Sequence, residues 1–333
     1  DIDVLGMRGE QQMFRYAGTG SLADLAGMIT KNGFDVTFFG PAFPRLEYNG
    51  KHYGLPYRNS CWFLIYNKDI FDRQGVEYPG QMTWDDYSEL AKKLTHGEGQ
   101  NKVYGGYMVP WTKNFIAIQK GYTLLDDDTT ALWESIEFIE KLYNRDGSHM
   151  SLAEQHAVNA NWIEEFESGR VAMMPNGDWF IGMIMVDEEQ GKSDVRWDLA
   201  PLPVPEGVEP GTSFGHYTLL GITESCRKKE AAFAFASFLC GEEGSMILAR
   251  NGIFPAYNTT AIKEIYIENA GKESARFLFE ARIIQEQPIH PLAAEAASAF
   301  DEEAELYILG KKALEEAKND FEKRRADIFL PNP

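Results

Sequence analysis

The chain has 333 residues, enough for roughly two domains of ~150 residues each, and 44% of them are hydrophobic, which is sufficient for a large core. Asp and Glu total 51 against 32 Lys and Arg, a formal net charge of −19, and this balance argues against nucleic acid as a partner because such binding needs a basic face. The three cysteines, Cys61, Cys226 and Cys240, form no C-x-x-C pair, so neither a zinc ribbon nor a redox motif is expected; buried free thiols are the favoured state, with a Cys226–Cys240 disulfide as the alternative.

Asp1 to Gly6 reads as the end of a core strand followed by a loop, and so abrupt a start reads as trimmed. Leu22, Leu25, Ala26 and Ile29 share one helical face, stopped at Gly33. Trp62-Phe63-Leu64-Ile65-Tyr66 is an aromatic and β-branched run that predicts a strand. Thr83 and Asp86 form a capping box that opens a helix with Tyr87, Leu90, Ala91 and Leu94 inward. A second helix is expected over 129–143, with Asp126, Asp127 and Asp128 at its positive end. A third begins near Asn161 and stops at Gly169. Arg170 to Met174 predicts a strand, and Gly177-Asp178-Trp179 turns into another helix. Pro201, Pro203, Pro205 and Pro210 mark an exposed connector. Tyr217 to Ile222 predicts a strand, 229–239 a helix, and 293–325 helix broken at Gly310. Alternation of helices with short strands argues for an α/β architecture with mostly parallel sheets. No run of about 18 apolar residues offers a membrane span.

Motifs that would signal chemistry are weak or absent. Gly211-Thr212-Ser213-Phe214-Gly215 has the G-x-S-x-G spelling, but a proline-rich loop precedes it and a strand follows, whereas a nucleophile elbow needs a strand before and a helix after. The Asp126 to Asp128 run lacks the glycine of a calcium loop and reads as helix capping. No phosphate-binding or dinucleotide glycine motif and no H-E-x-x-H occurs. Neither a cofactor nor a metal site is expected.

Several blocks together resemble the carbohydrate-type extracellular solute-binding proteins of bacterial ABC importers, the maltose-binding-protein-like group. They are Tyr53-Gly54-Leu55-Pro56 with Ile65-Tyr66-Asn67-Lys68-Asp69-Ile70-Phe71, Met82 to Tyr87, Phe166 to Met173, Asn176 to Trp179, Ala231 to Leu239 with Gly252 to Ala256, and Gly310 with Ala313 to Ala317. They run through nearly the whole chain in the family's order. The resemblance implies a two-lobed periplasmic-binding-protein type II fold with a ligand cleft between lobes: residues 1–59 plus 217–287 in the first lobe and 60–216 plus 288–333 in the second. It also implies that a strand–helix–strand unit normally precedes Asp1. Where members carry paired glycines after the connector, this chain reads Gly215-His216-Tyr217.

The resemblance further implies a non-enzymatic role: capture of a sugar or oligosaccharide and delivery to an ABC transporter membrane permease. The protein would act as a monomer in the periplasm or lipid-anchored on the outer face of the cytoplasmic membrane. Flat rings stack on sugar C–H faces while polar side chains take the hydroxyls. The expected stacking platforms are Trp179 and Trp111, and Trp62 is a further ligand-contact candidate, with core packing as the alternative because its strand neighbours are apolar. The polar candidates are Arg8 and Gln12 in the loop after the first strand, Tyr57 and Asn59 at one crossing between lobes, His216 and Tyr217 at the return crossing, and Asp178. Two alternatives stay open: the same fold with a polyol, glycerol phosphate or small anion as ligand, and a glycoside hydrolase on an α/β scaffold.

Overall fold

A computed structural model describes residues 2–330, except for the side chains of Pro41 and Ala42. In chain order its strands are β1 (Val4–Arg8), β2 (Glu47–Tyr48), β3 (Lys51–His52), β4 (Leu55–Arg58), β5 (Trp62–Asn67), β6 (Met173–Gly177), β7 (Trp197–Pro201), β8 (Thr212–Gly215), β9 (Thr218–Ile222) and β10 (Arg282–Gln285). Two three-stranded sheets, β1-β9-β4 and β6-β5-β7, anchor two helical layers, and β8 and β10 form a separate pair. The chain passes from the first larger sheet to the second at 59–61, from β4 into β5, and returns to the first at 216–217, from β8 of the small pair into β9.

The expected parallel sheets are not what forms. β9 runs antiparallel to both β1 and β4, and β5 runs antiparallel to both β6 and β7; only β8 and β10 pair in parallel among the named strands. The reason lies in the crossings. The middle strand of each larger sheet is the one that has just arrived from outside it, β5 from the first larger sheet and β9 from the β8–β10 pair, so it enters reversed between two outer strands that share a direction. Helix–strand alternation constrains the outer strands and says nothing of the inserted one. Because β5 is central, all six of its residues are buried, each large apolar side chain contributing about 1.5–3 kcal/mol.

The Tyr66-Asn67-Lys68-Asp69 block is a strand–helix joint. Asn67 ends β5, and its side chain accepts from the amides of Asp69 and Ile70, capping helix Lys68–Gln74, which Gly75 closes in the left-handed conformation. The Thr83–Asp86 capping box forms as expected over helix Trp84–Leu94. The helix expected from residue 129 runs from Thr130 to Glu140 and continues as a π turn, Lys141–Arg145. Gly310 separates helices Ala293–Ile308 and Leu314–Phe329. All three cysteines are buried free thiols.

Two local expectations are corrected. Residues after Arg8 form helix Glu10–Gly18 rather than a loop. The segment between Pro201 and Pro205 is not exposed: Leu202, Pro203, Val204 and Pro205 are buried. Val204, which keeps the amide its proline neighbours lack, donates to Met82 O and accepts from Trp84 N, both at 3.1 Å. Ser213, in the G-x-S-x-G spelling, is buried in β8 and its hydroxyl donates to the Trp62 carbonyl at 2.6 Å. No helix follows it, and the residue has no nucleophile-elbow geometry.

The buried His149 has Tyr87 Oη 2.8 Å from Nε2 and Ser148 Oγ 2.9 Å from Nδ1. Burial pushes its pKa down to about 3 from 6.5, so the ring is neutral in the folded chain and takes a proton more readily when unfolded. Its contribution to stability is therefore present above pH 6.5 and is lost as pH falls toward 3. In chemical denaturation across this range, the stability difference between the wild-type chain and a His149→Gln variant should shrink by up to about 1.4 kcal/mol per pH unit. Parallel pH profiles for the two would contradict this reading.

Candidate ligand-binding cleft

The end of sheet β1-β9-β4 sets out a row of polar side chains. Thr218 opens β9 and sits in register with Arg8 on one side and Arg58 on the other. Neighbouring strands lie about 4.8 Å apart, so the two arginines flank the threonine on one edge of the sheet. In β4 the register slips between Pro56 and Arg58. This bulge places both Tyr57 and Arg58 opposite Thr218, and lets two consecutive residues face the same opening. Arg8, Tyr57, Arg58, Ser60, His216 and Thr218 line one wall of a cavity of about 590 Å³, and Trp111 and Trp179 line the other.

The aromatic wall comes from the second sheet. Gly177 ends β6, and a Cβ there would lie 2.0 Å from the Trp179 ring. Glycine thus lets the indole fold back over the strand end. Trp179 packs edge-on against Trp62 at 5.5 Å and lies 6.5 Å from Trp111, which in turn meets Trp162 at 5.7 Å. The segment carrying Trp111 is held by its neighbour: Thr112 has φ 53°, rare for a β-branched residue, and its hydroxyl donates to Glu286 at 2.9 Å.

Two buried carboxylates stand behind these walls. Asp178 accepts from Arg58 Nη2 at 2.7 Å and from the Cys61 amide at 3.3 Å. Burial pushes its carboxyl above the ordinary value, and Arg58 opposes that rise. Glu286, 8% exposed, accepts from Thr112, from Trp62 Nε1 at 3.4 Å and from His216 Nδ1 at 3.2 Å. Burial acts to raise Glu286, but His216, Thr112 and Trp62 together hold it below its ordinary value. Conversely, burial works against a charged His216, yet Glu286 and Glu10 hold its pKa above the usual value.

A second cavity of about 490 Å³ continues past Arg8 and Trp111 toward Lys113, Glu286 and helix 293–308. The opening therefore extends from the crossings toward helix 293–308. Among the described residues no three His, Cys, Asp or Glu side chains gather as a metal cage.

Of the expected residues, Arg8, Tyr57, Trp111, Trp179 and His216 line the 590 Å³ cavity together. The other five do not line it. Gln12 folds back to accept from the Arg8 amide at 2.7 Å, and Gln11, a third of a turn away on the same helix, borders the second cavity instead. Asn59 turns its side chain to the Ser60 amide. Trp62 is 3% exposed and backs Trp179. Asp178 is buried behind Arg58. Tyr217 points inward, its hydroxyl donating to Phe39 O at 2.9 Å. Strand alternation explains this last case: His216 and Thr218 face the opening and the residue between them faces the core. Sequence reasoning missed Thr218 for want of that alternation, and missed Glu286 because no motif marks it. The polar run Gln285-Glu286-Gln287 after the β-branched Ile283-Ile284 was its only trace.

A family model described as bacterial extracellular solute-binding protein matches residues 3–270. The chain belongs to that family. This solute-binding protein is 26% identical over 262 residues to a mannitol-binding protein of Pseudomonas aeruginosa, across 74% of this chain and 58% of that one. It thus spans less than two thirds of that relative's length. Among solved structures it is similar to a sugar transporter of Rhizobium etli in an open conformation, at 28% identity and TM-score 0.87, covering 98% of this chain and 85% of the other. It is also similar to an ABC substrate-binding protein of Listeria monocytogenes in complex with cycloalternan, at 25% identity and TM-score 0.84, covering 99% and 85%. The fold is the two-lobed α/β arrangement of these substrate-binding proteins.

If Glu286 holds the His216 charge, Glu286→Gln should lower the His216 pKa, because the counter-charge at 3.2 Å is removed. Imidazole proton shifts followed by NMR against pH would show the titration moving to lower pH. A midpoint that stays in place would contradict the pairing.

Proposed function

We propose that this solute-binding protein captures a sugar or oligosaccharide outside the cytoplasmic membrane and delivers it to an ABC transporter permease. The observation that carries this reading is the pairing of walls. Trp111 and Trp179 offer flat rings on one side of the 590 Å³ cavity, and Tyr57, Thr218, Arg8 and His216 offer hydrogen-bonding groups on the other. A sugar ring has both kinds of surface. The mannitol-binding and cycloalternan-bound relatives support a saccharide or polyol as ligand.

The lobes on this reading are 1–59 plus 217–287 and 60–216 plus 288–333, with the β8–β10 pair at their joint. Closure of the lobes on the ligand is the state the permease reads. The protein works as a monomer, in the periplasm or lipid-anchored outside the cell, and performs no chemistry. A glycoside hydrolase needs two carboxyl groups roughly 5–10 Å apart across the scissile bond, and among the described residues no carboxylate lines the cavity that holds both tryptophans.

A thermal-shift screen against a saccharide library tests the reading, since a ligand that binds the folded state raises the melting temperature. For a sugar found in this way, Trp179→Ala should cost about 1–3 kcal/mol of binding measured by calorimetry, with little change in the melting temperature of the free protein. Unchanged affinity would reject Trp179 as a stacking platform.

A further inference from the structure

We propose that the captured saccharide carries an anionic group, a carboxylate or a phosphate, seated between Arg8, Arg58 and His216. This rests on the capture reading above and names the class of ligand.

The row Arg8–Thr218–Arg58 brings two guanidinium groups to one edge of the sheet, with His216 on the adjoining crossing. Arg58 has a partner in Asp178. Arg8 is exposed and makes no ion pair among the described residues. Glu286 and Glu10 raise the His216 pKa above its usual value, and Arg8 is the other ionisable group that acts on it. In a chain with a net charge of −19, a cavity wall with two arginines, a histidine and no carboxylate among the described residues runs against the overall charge.

The nearby carboxylates do not undo this polarity. Asp178, Glu286 and Glu10 balance three positive charges by count; all three are buried, Asp178 against Arg58, Glu286 at the edge of the 490 Å³ cavity and Glu10 at the edge of a cavity of about 240 Å³ that it shares with Arg8 and His216. Their lone pairs are engaged there: Asp178 with Arg58 and Cys61, Glu286 with Trp62, Thr112 and His216, and Glu10 with the Tyr217 amide and Gln285 Nε2. The 590 Å³ cavity itself is lined by Arg8, Arg58 and His216 and by none of these three carboxylates. Arginine and protonated histidine are donors only. A neutral sugar hydroxyl both donates and accepts, and three donor-only groups leave its proton poorly served. An anionic oxygen accepts several hydrogen bonds at once, and charge-assisted bonds are the stronger kind. The hydroxyls of Tyr57 and Thr218 remain for the sugar's own hydroxyls, and the tryptophans for its ring.

The test compares matched pairs by calorimetry: a galacturonate trisaccharide against its carboxyl-reduced neutral form, glucose 6-phosphate against glucose, and inorganic phosphate alone. One acidic member should bind more tightly than its neutral counterpart by a factor on the order of ten. Which pair shows the preference separates carboxylate from phosphate. The preference should fall away in about 0.5 M salt, where charge recognition is screened. It should also shrink in Arg8→Gln and reverse in Thr218→Asp, with the melting temperature of each free variant checking that it folds. Neutral forms binding as tightly as acidic ones, or Arg8→Gln keeping the full preference, would overturn the inference and leave saccharide capture standing. Phosphate alone binding as tightly as the sugar phosphate would overturn it in favour of a simple anion. Binding of none of these, with no hit in the saccharide library, would remove the capture reading and this inference with it.

Discussion

The arrangement depends on two crossings of the chain lying directly against each other. At Gly215 a Cβ would come within 2.0 Å of the Ser60 carbonyl oxygen, so only a residue without a side chain lets the return crossing pass so close to the outgoing one. Because they touch, the residues on either side of each crossing are forced into one neighbourhood. Tyr57, Arg58 and Ser60 come from the first crossing, and His216 and Thr218 from the second. These residues make one wall of the cleft, although more than 150 positions separate the two segments.

The buried acids stabilise this neighbourhood and orient it. Arg58, from the first sheet, meets Asp178, from the end of β6 in the second. Glu286, just after β10, binds His216 from the return crossing together with Trp62 of β5 and Thr112. Burying a carboxylate is costly unless its oxygens are satisfied, and both are satisfied from several segments at once. Ion pairs of this kind are weak evidence for net stability, but each partner's position is set by the others. They fix Arg58 and His216 at the 590 Å³ cavity, whose lining includes neither carboxylate. The tryptophan wall uses a different device: Gly177 makes room for Trp179 to fold back, and Trp62 supports it edge-on.

Local features of this design were readable along the chain, and features that depend on distant pairing were not. The Asn67 cap, the Thr83–Asp86 box, the left-handed stop at Gly310 and the two strands at the crossings follow from short-range rules and appear as expected. Trp111 and Trp179 were visible because each is a large ring next to a turn rather than on a periodic apolar face. The reversed middle strands were not visible, since strand direction within a sheet depends on where a crossing inserts the chain. Gln12 and Tyr217 were one residue out of phase with Gln11 and Thr218, an error that a helix start at Glu10 and the alternation of β9 account for. Glu286 has no local signature, and its role exists only because β10 pairs with β8.

The central claim is that walls from two lobes enclose a saccharide and approach each other when it binds. Small-angle X-ray scattering of the protein, free and saturated with a sugar that raises its melting temperature, measures this most directly. A smaller radius of gyration in the saturated sample, with the maximum dimension reduced, is the predicted result. Superimposable scattering curves at full saturation would show that the lobes do not close, and would contradict the account.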